Sequence, residues 1–433
     1  MSITQAMPKP QVQSWPVAGL RAVTVNLTAG QTLTMDANRA PDGNLNVTAG
    51  TFDLSTFTIN RSGAGGALTV SNGATLRIGG TNSFPANYNT HTIGATSTVS
   101  ALDRSGSVVV QNSGGTTYGH LIISGSGTKT LAGTETVAGN LTINGGTFDL
   151  TTFTISRSSA GGTLTVADGA TLKIGGTNTI PANYSAHAIG ATSTIEFAGT
   201  AQSIPVLNSS QSYGHLTTSG SGNKTLAAAI SVRGNWTNNG GTIVPGAGIV
   251  TFNGTTTQTI SGNVTPFNNL TINTNAIVVI PATNIPTVAG TMTNNGTLQQ
   301  TLNVDNSAPV SFLTISTDKY RGVDIDTTGT GANLGAVTVT VRSTAVFDCP
   351  NAGGVTPIYA RRCFDITPTN QGAAAVTLWV LNSELGAIPS DRLCRTALQE
   401  DRTAITTISR KALPQDFLAS WLDRRVLPPQ RLR

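Results

Sequence analysis

The chain carries four histidines, at positions 91, 120, 187 and 215. Imidazoles bind metals and move protons near neutral pH, so their spacing is the first clue to chemistry. His91 and His187 lie 96 residues apart, and His120 and His215 lie 95 apart. Their surroundings repeat with them. PANYNTHTIG (85–94) returns as PANYSAHAIG (181–190), and TYGHL (117–121) returns as SYGHL (212–216). Histidines copied together with their flanks mark a repeat, not a converging cluster, so no metal site and no cofactor is expected. The Pro-started segments pair Tyr88 with His91 and Tyr184 with His187. Two readings stand for them. They are loops that bulge from the body and stack sugars, with avidity from repetition, or they fill the core at a corner. These four residues are the candidate ligand-binding positions.

Carboxylates tell a similar story. Polysaccharide lyases and glycosidases need clustered carboxylates, or a carboxylate beside a basic residue, at roughly 5–10 Å. The first 300 residues hold only eight acidic side chains. Asp53 and Asp149 occupy matching repeat positions. Asp103 with Arg104 is the closest charged pair, and an adjacent pair of this kind reads as a solvated corner. Asp324 and Asp326 faintly suggest calcium, but the glutamate at the twelfth position of an EF-hand loop is missing. No phosphate loop, nucleophile elbow or metalloprotease helix is present. No catalytic residue is therefore assigned. Outward threonines in TLT, TFT and TVT raise ice binding, but a flat ice face needs regular rows, and the coils read as irregular.

The residues that must be positioned belong to a repeat. Residues 50–99 and 146–195 are identical at 37 of 50 aligned positions. NLNV (44–47) recurs as NLTI (140–143) and as NWTN (235–238), which sets units at 44–139, 140–234 and a shorter, diverged 235–302. FAGTAQSI (197–204) reappears as FNGTTTQTI only 55 residues later. Pieces can be dropped in this way when each contacts only its neighbours. Within TFDLSTFTI, Phe52 and Leu54 alternate with polar residues, and the alternation breaks at Ser55-Thr56 before Phe57 and Ile59. A one-residue slip flips a strand's faces, so the chain must turn a corner there to keep all four inside. Leu68 and Val70, then Leu76 and Ile78, continue the pattern.

Strands with only two inward residues are short for hairpins. They suit a parallel β-helix better than a sandwich or barrel. The expected fold is all-β: a β-solenoid of roughly 20–24 residues per coil, rising about 4.8 Å per coil. Its raw sheet edges need caps. Residues 1–43 supply one cap, together with first strands. Lines such as GNLTINGGTFDL (139–150), GTLTVADGATLKIGG (162–176), GSGTKTLAG (125–133) and VTFNGTTTQTISGN…FNNLTIN (250–273) resemble the repeats of bacterial surface and secreted adhesin-like proteins. That resemblance, over about 40–300, implies β-solenoid stalks, export, and adhesive or structural roles. It transfers no catalytic motif.

From about 303 the grammar changes to longer alternating runs, which predict a β-sandwich-like module over 303–389. RRCFDITPTNQGAAAVTLWVLNSELG (361–386) reads as two strands around an Asn-Gln-Gly turn. The line Phe364-Asp365-Ile366-Thr367-Pro368 is similar to the terminal modules that follow such repeats in the same surface proteins. Cys349 and Cys363 bracket a short loop containing Pro350, Gly353, Gly354 and Pro357. Either they form a disulfide worth about 3 kcal/mol in an oxidising compartment, or they are two separate buried thiols. Residues 390–433 are a charged tail. Within it, ALPQDFLASWLDRR (412–425) has helical spacing. The abrupt change of composition also fits a reading-frame error near 390–395, which would make Cys394 spurious.

Charge excludes one class of partner. The net charge is +5, and nine Lys/Arg against five Asp/Glu in the tail supply +4 of it. No basic stripe remains to track phosphates, so nucleic acid is not an expected partner. No stretch of 18 apolar residues exists, so no membrane span is expected. The first 20 residues lack the apolar core of a signal peptide. Yet charged residues are only 10 % of a Thr-, Asn- and Gly-rich chain, a composition typical of exported proteins. The expected function is a non-enzymatic stalk or adhesin fragment, outside the cell or on its surface, meeting surface glycans or cell-surface proteins. The alternative is a carbohydrate-active β-helix enzyme or glycan-binding module.

Overall fold

The structure is a computed structural model that describes residues 2–4, 20–102, 108–110, 117–315, 320–343, 362–380 and 405–412. The chain divides into two compact units, Met1–Gln300 and Thr301–Arg433. Among the described residues the only helix is a single 3-10 turn, Asn208–Ser210.

The first unit is a parallel β-helix of about 12 turns. One turn shows why the sequence winds this way. Leu45–Ala49 forms one side and Thr51–Asp53 the next. Ile59 then bridges Arg39 on a third side, and Gly65–Val70 returns to the first. Phe52, Leu54, Ile59, Leu68, Val70 and Leu76 are fully buried, and Ile78 nearly so. The expected corner falls at Ser55, which takes a left-handed φ of 51° while its N–H donates to Asp53 Oδ1 at 2.8 Å. Thr151 repeats it, with φ 51° and a 2.8 Å bond to Asp149 Oδ1. A short carboxylate that bonds the backbone two residues on makes such a bend cheap. Phe57 departs from expectation: it is only half-buried, as is its copy Phe153, because the corner spends one residue before the next inward side chain.

The copies do not stack face on face. Leu45 lies in a column with Val23, Leu68 and His91. Leu141, its copy, lies in a second column with Phe52, Leu76, Val99, Leu121, Leu164 and His187. Trp236, the next copy, lies in a third with Phe148, Leu172, Ile195, Leu216 and Ile260. Four turns of 20–24 residues carry Phe52 to Leu141. The seven residues from Leu45 to Phe52 carry the chain to the next side. Each copy is therefore four turns and a third, and every equivalent position moves around the three-sided coil by one side.

The asparagine that opens each unit explains its recurrence. Asn44 Oδ1 accepts the N–H of Ala67 at 2.9 Å, Asn140 that of Thr163 at 3.0 Å, and Asn235 that of Thr259 at 2.9 Å. Each links its coil to the next at a corner where the backbone ladder is interrupted.

The second unit turns antiparallel. Gly335–Ser343 pairs with Arg362–Pro368 over seven positions. A four-stranded sheet is ordered Val310–Phe312, Val323–Asp326, Ala374–Val380, Ile405–Ala412, its last pair parallel. Both strands expected around the Asn-Gln-Gly turn exist, but they do not pair with each other. Ile405–Ala412 adds a strand inside the stretch read as tail. The segment spaced as a helix, from 413 on, lies outside the described residues, as do Asp103, Arg104, Cys349 and Cys394. Cys363 is buried and disulfide-bonded.

Candidate functional site

The two Tyr–His segments were the leading candidates, and the fold turns their tyrosines inward. Asn87 and Asn183, both at φ 69°, hold the bend before each tyrosine, and their side chains donate to Arg61 O and Arg157 O at 2.8 Å. Tyr88 is 5 % exposed and Tyr184 1 %. The Tyr88 hydroxyl donates to Ile59 O at 3.1 Å. Burial pushes both phenols well above their usual range. His187 is buried, and burial pulls its imidazole below the ordinary value. Half-buried His91 meets Phe84 edge-on at 5.1 Å. The two tyrosine rings and His187 fill the coil, and His91 lies half-buried at its surface. The one-side shift between copies sets the two segments apart, since His91 and His187 belong to different columns. Of the two readings for Tyr88, His91, Tyr184 and His187, the burial of both tyrosines and of His187 favours the core-filling one.

The other histidines are coil links. His120 Nδ1 accepts the N–H of Asn140 at 3.0 Å, and His215 Nδ1 that of Asn235 at 2.8 Å. Glycine precedes each donor because a Cβ on Gly139 or Gly234 would sit 2.6 or 2.7 Å from that nitrogen.

Sequence reasoning missed the interior polar residues. Lys129 and Lys224 are fully buried, and Gln202 and Gln258 nearly or fully so. Lys224 Nζ donates to Gln202 Oε1 at 2.9 Å and to the carbonyl oxygen of Gly199. Desolvation pulls its pKa down. Gln202 also accepts from Gly199 N–H at 2.7 Å and donates to Ile174 O and Asn178 O. Gln258 repeats the device with Gly254, Val232 and Gly234. The signal was present: Leu131 and Leu226 point inward, so period-two alternation puts Lys129 and Lys224 inward as well.

The carboxylates are committed to partners. Asp149 pairs with Lys173 at 3.1 Å, and Asp53 stands 3.9 Å from Arg77. Asp324 accepts from Arg321 at 2.7 Å and from Trp379 Nε1 at 2.8 Å, with the Arg321 guanidinium 4.5 Å over the Trp379 ring. Asp326 caps its own turn through Thr328 N and Oγ1. Among the described residues no group of three or more His, Cys, Asp or Glu is placed to hold a metal ion.

The outside is regular where irregularity was expected. Thr32, Thr51, Thr75 and Thr98 stand in register on one side, followed by His120. Thr128, Thr147, Thr171 and Thr194 repeat the row on the next, followed by His215. Beside these rows run Asp53, Arg77 and Ser100, and Asp149, Lys173 and Glu196. The charges interrupt the plane of hydroxyls that an ice face requires. Among the described residues no helix is long and apolar enough to cross a membrane. Compared with protein-family models, with curated proteins and with solved structures, the chain matches none of them.

Proposed function

We propose that this chain is a non-enzymatic structural or adhesive repeat protein that acts outside the cell, spacing and displaying its polar surface. One observation carries the reading. Polar side chains inside the first unit — Lys224, Gln202, Gln258 and Nδ1 of His120, His187 and His215 — are bonded to adjacent coils, while threonine rows line the outside. At about 4.8 Å per turn, about 12 turns rise on the order of 60 Å. Surface glycans and cell-surface proteins are the partners this reading favours, with affinity gathered over many weak contacts.

The test uses the purified chain against immobilised glycans, against cells, and against soluble polysaccharides. Binding without turnover is expected, and it should survive alanine at Asp103, Arg104, Asp324 and Asp326. Turnover of a soluble polysaccharide would overturn the proposal in favour of a carbohydrate-active enzyme. Export is tested separately, by labelling intact cells with an antibody to the chain.

A further inference from the structure

Three histidines use the same nitrogen in the same way. His120, His187 and His215 each turn Nδ1 toward a backbone N–H of a following coil, from Asn140 at 3.0 Å, Asn208 at 3.0 Å and Asn235 at 2.8 Å. An N–H donor facing Nδ1 requires a lone pair there, so each ring is neutral with its proton on Nε2. In the shortened third unit, Asn269 stands where His120 and His215 stand in the first two. Its Oδ1 accepts the N–H of Thr291 at 2.7 Å. Gly290 makes room for that amide as Gly139 and Gly234 do for the imidazoles. The site thus demands an acceptor, which asparagine provides at any pH and histidine only when unprotonated.

We propose that His120, His187 and His215 form an acid-sensitive set of inter-coil hydrogen bonds, which join the turns of the solenoid at neutral pH and open when the imidazoles take up protons. Protonation puts a hydrogen on Nδ1, so two donors then face each other, and the backbone N–H is left without its acceptor. The charged neighbours are of both signs. Arg157 donates to Gly139 O above His120 and interacts with Tyr184 near His187. Tyr118 and Glu135 lie on the strands beside His120. Arg233 precedes Gly234 above His215 and interacts with Asp168 on the corner of a lower coil. The two arginines oppose a further positive charge, while Glu135 favours one at His120. Asp168 favours one, but it is exposed and already bonded to Thr192. The unfolded chain binds protons at histidine below about 6.5, whereas in the folded coil a proton on Nδ1 would break the bond that each of these nitrogens accepts. Stability is therefore complete above that value and falls as pH drops through it.

The experiment follows urea unfolding of the full chain from pH 8 to pH 5, for the wild type, for H215N and for the triple variant H120N/H187N/H215N. The wild-type midpoint should fall below about pH 6.5. H215N should match the wild type at pH 8 and lose part of the acid fall, and the triple variant should stay flat to pH 5. Should the triple variant not fold, H215N alone still decides. A wild-type midpoint constant from pH 8 to 5, or an H215N fall as steep as the wild type's, would overturn the proposal. So would nitrogen NMR showing neutral rings protonated at Nδ1.

Discussion

Residues 50–99 and 146–195 differ at 13 of 50 positions, yet equivalent residues of the two lie on different sides of the coil. Phe52 and Phe148 are both fully buried, in different columns. Ser55 and Thr151 make the same left-handed corner. Asp53 faces Arg77, and Asp149 faces Lys173. The shared text therefore specifies what a coil does with its neighbours and nothing about which side it occupies. Where the neighbours differ, so do the copies. His91 is half-buried against Phe84, while His187 is buried and bonded to Asn208. A code confined to adjacent coils tolerates a repeat of four turns and a third, and it tolerates the shortened third unit.

The comparison can be broken most sharply in the core. Leu76→Ala and Leu172→Ala, whose register partners are Phe52 and Val99 in one copy and Phe148 and Ile195 in the other, should each cost about 2–5 kcal/mol. The two costs should agree within about 0.5 kcal/mol, as measured by urea unfolding. Unequal losses would mean that the side of the coil matters. Smaller, and particular to the second copy, is the Gln202–Lys224 bridge. Gln202→Leu leaves two carbonyls, the Gly199 N–H and a buried ammonium short of a partner, and should cost about 1–3 kcal/mol. Lys224→Met removes the buried charge and should be nearly neutral or stabilising, so thermal melts should rank Gln202→Leu well below Lys224→Met.

Next comes pH. His187 has its imidazole held below the ordinary value by burial, so its share of stability is present above about 6.5 and drains away as pH falls from there. His187→Asn should flatten a melting-temperature profile more than His91→Asn does. The smallest effect belongs to the half-exposed ion pairs. Lys173→Ala and Arg77→Ala should each cost less than about 1 kcal/mol, and the difference between them should vanish when melts are repeated in high salt.

Much of this was legible in the sequence, for a physical reason. Alternation broken at Ser55-Thr56 can be satisfied only by a corner, and a corner every few residues permits only short parallel sides. That logic placed Phe52, Leu54, Ile59, Leu68 and Leu76 inside. It failed at Phe57 because the pattern shows a residue's parity but not the arc a corner consumes. The candidate site was less legible. Tyr88 and Tyr184 carry ambiguous side chains, and only the left-handed Asn87 and Asn183 turn them inward. Lys129 and Lys224 were readable by parity alone, but a lysine in an apolar column contradicts its usual cost. The Gln202 bridge that offsets this cost for Lys224 lies a full turn away. In the second unit, adjacent strands 362–368 and 374–380 looked like a hairpin, although their pairing is decided by strands distant in sequence.

The winding itself can be tested at the boundary between copies. Ile122 and Thr142 are register partners across it, and both are half-exposed. A chain carrying Ile122→Cys and Thr142→Cys should form that disulfide on mild oxidation, identified by peptide mapping. Cysteines placed instead at Asn46 and Thr142, which are copies of one another, should remain unlinked because they lie on different sides. A link between 46 and 142, or none between 122 and 142, would contradict the four-and-a-third-turn repeat.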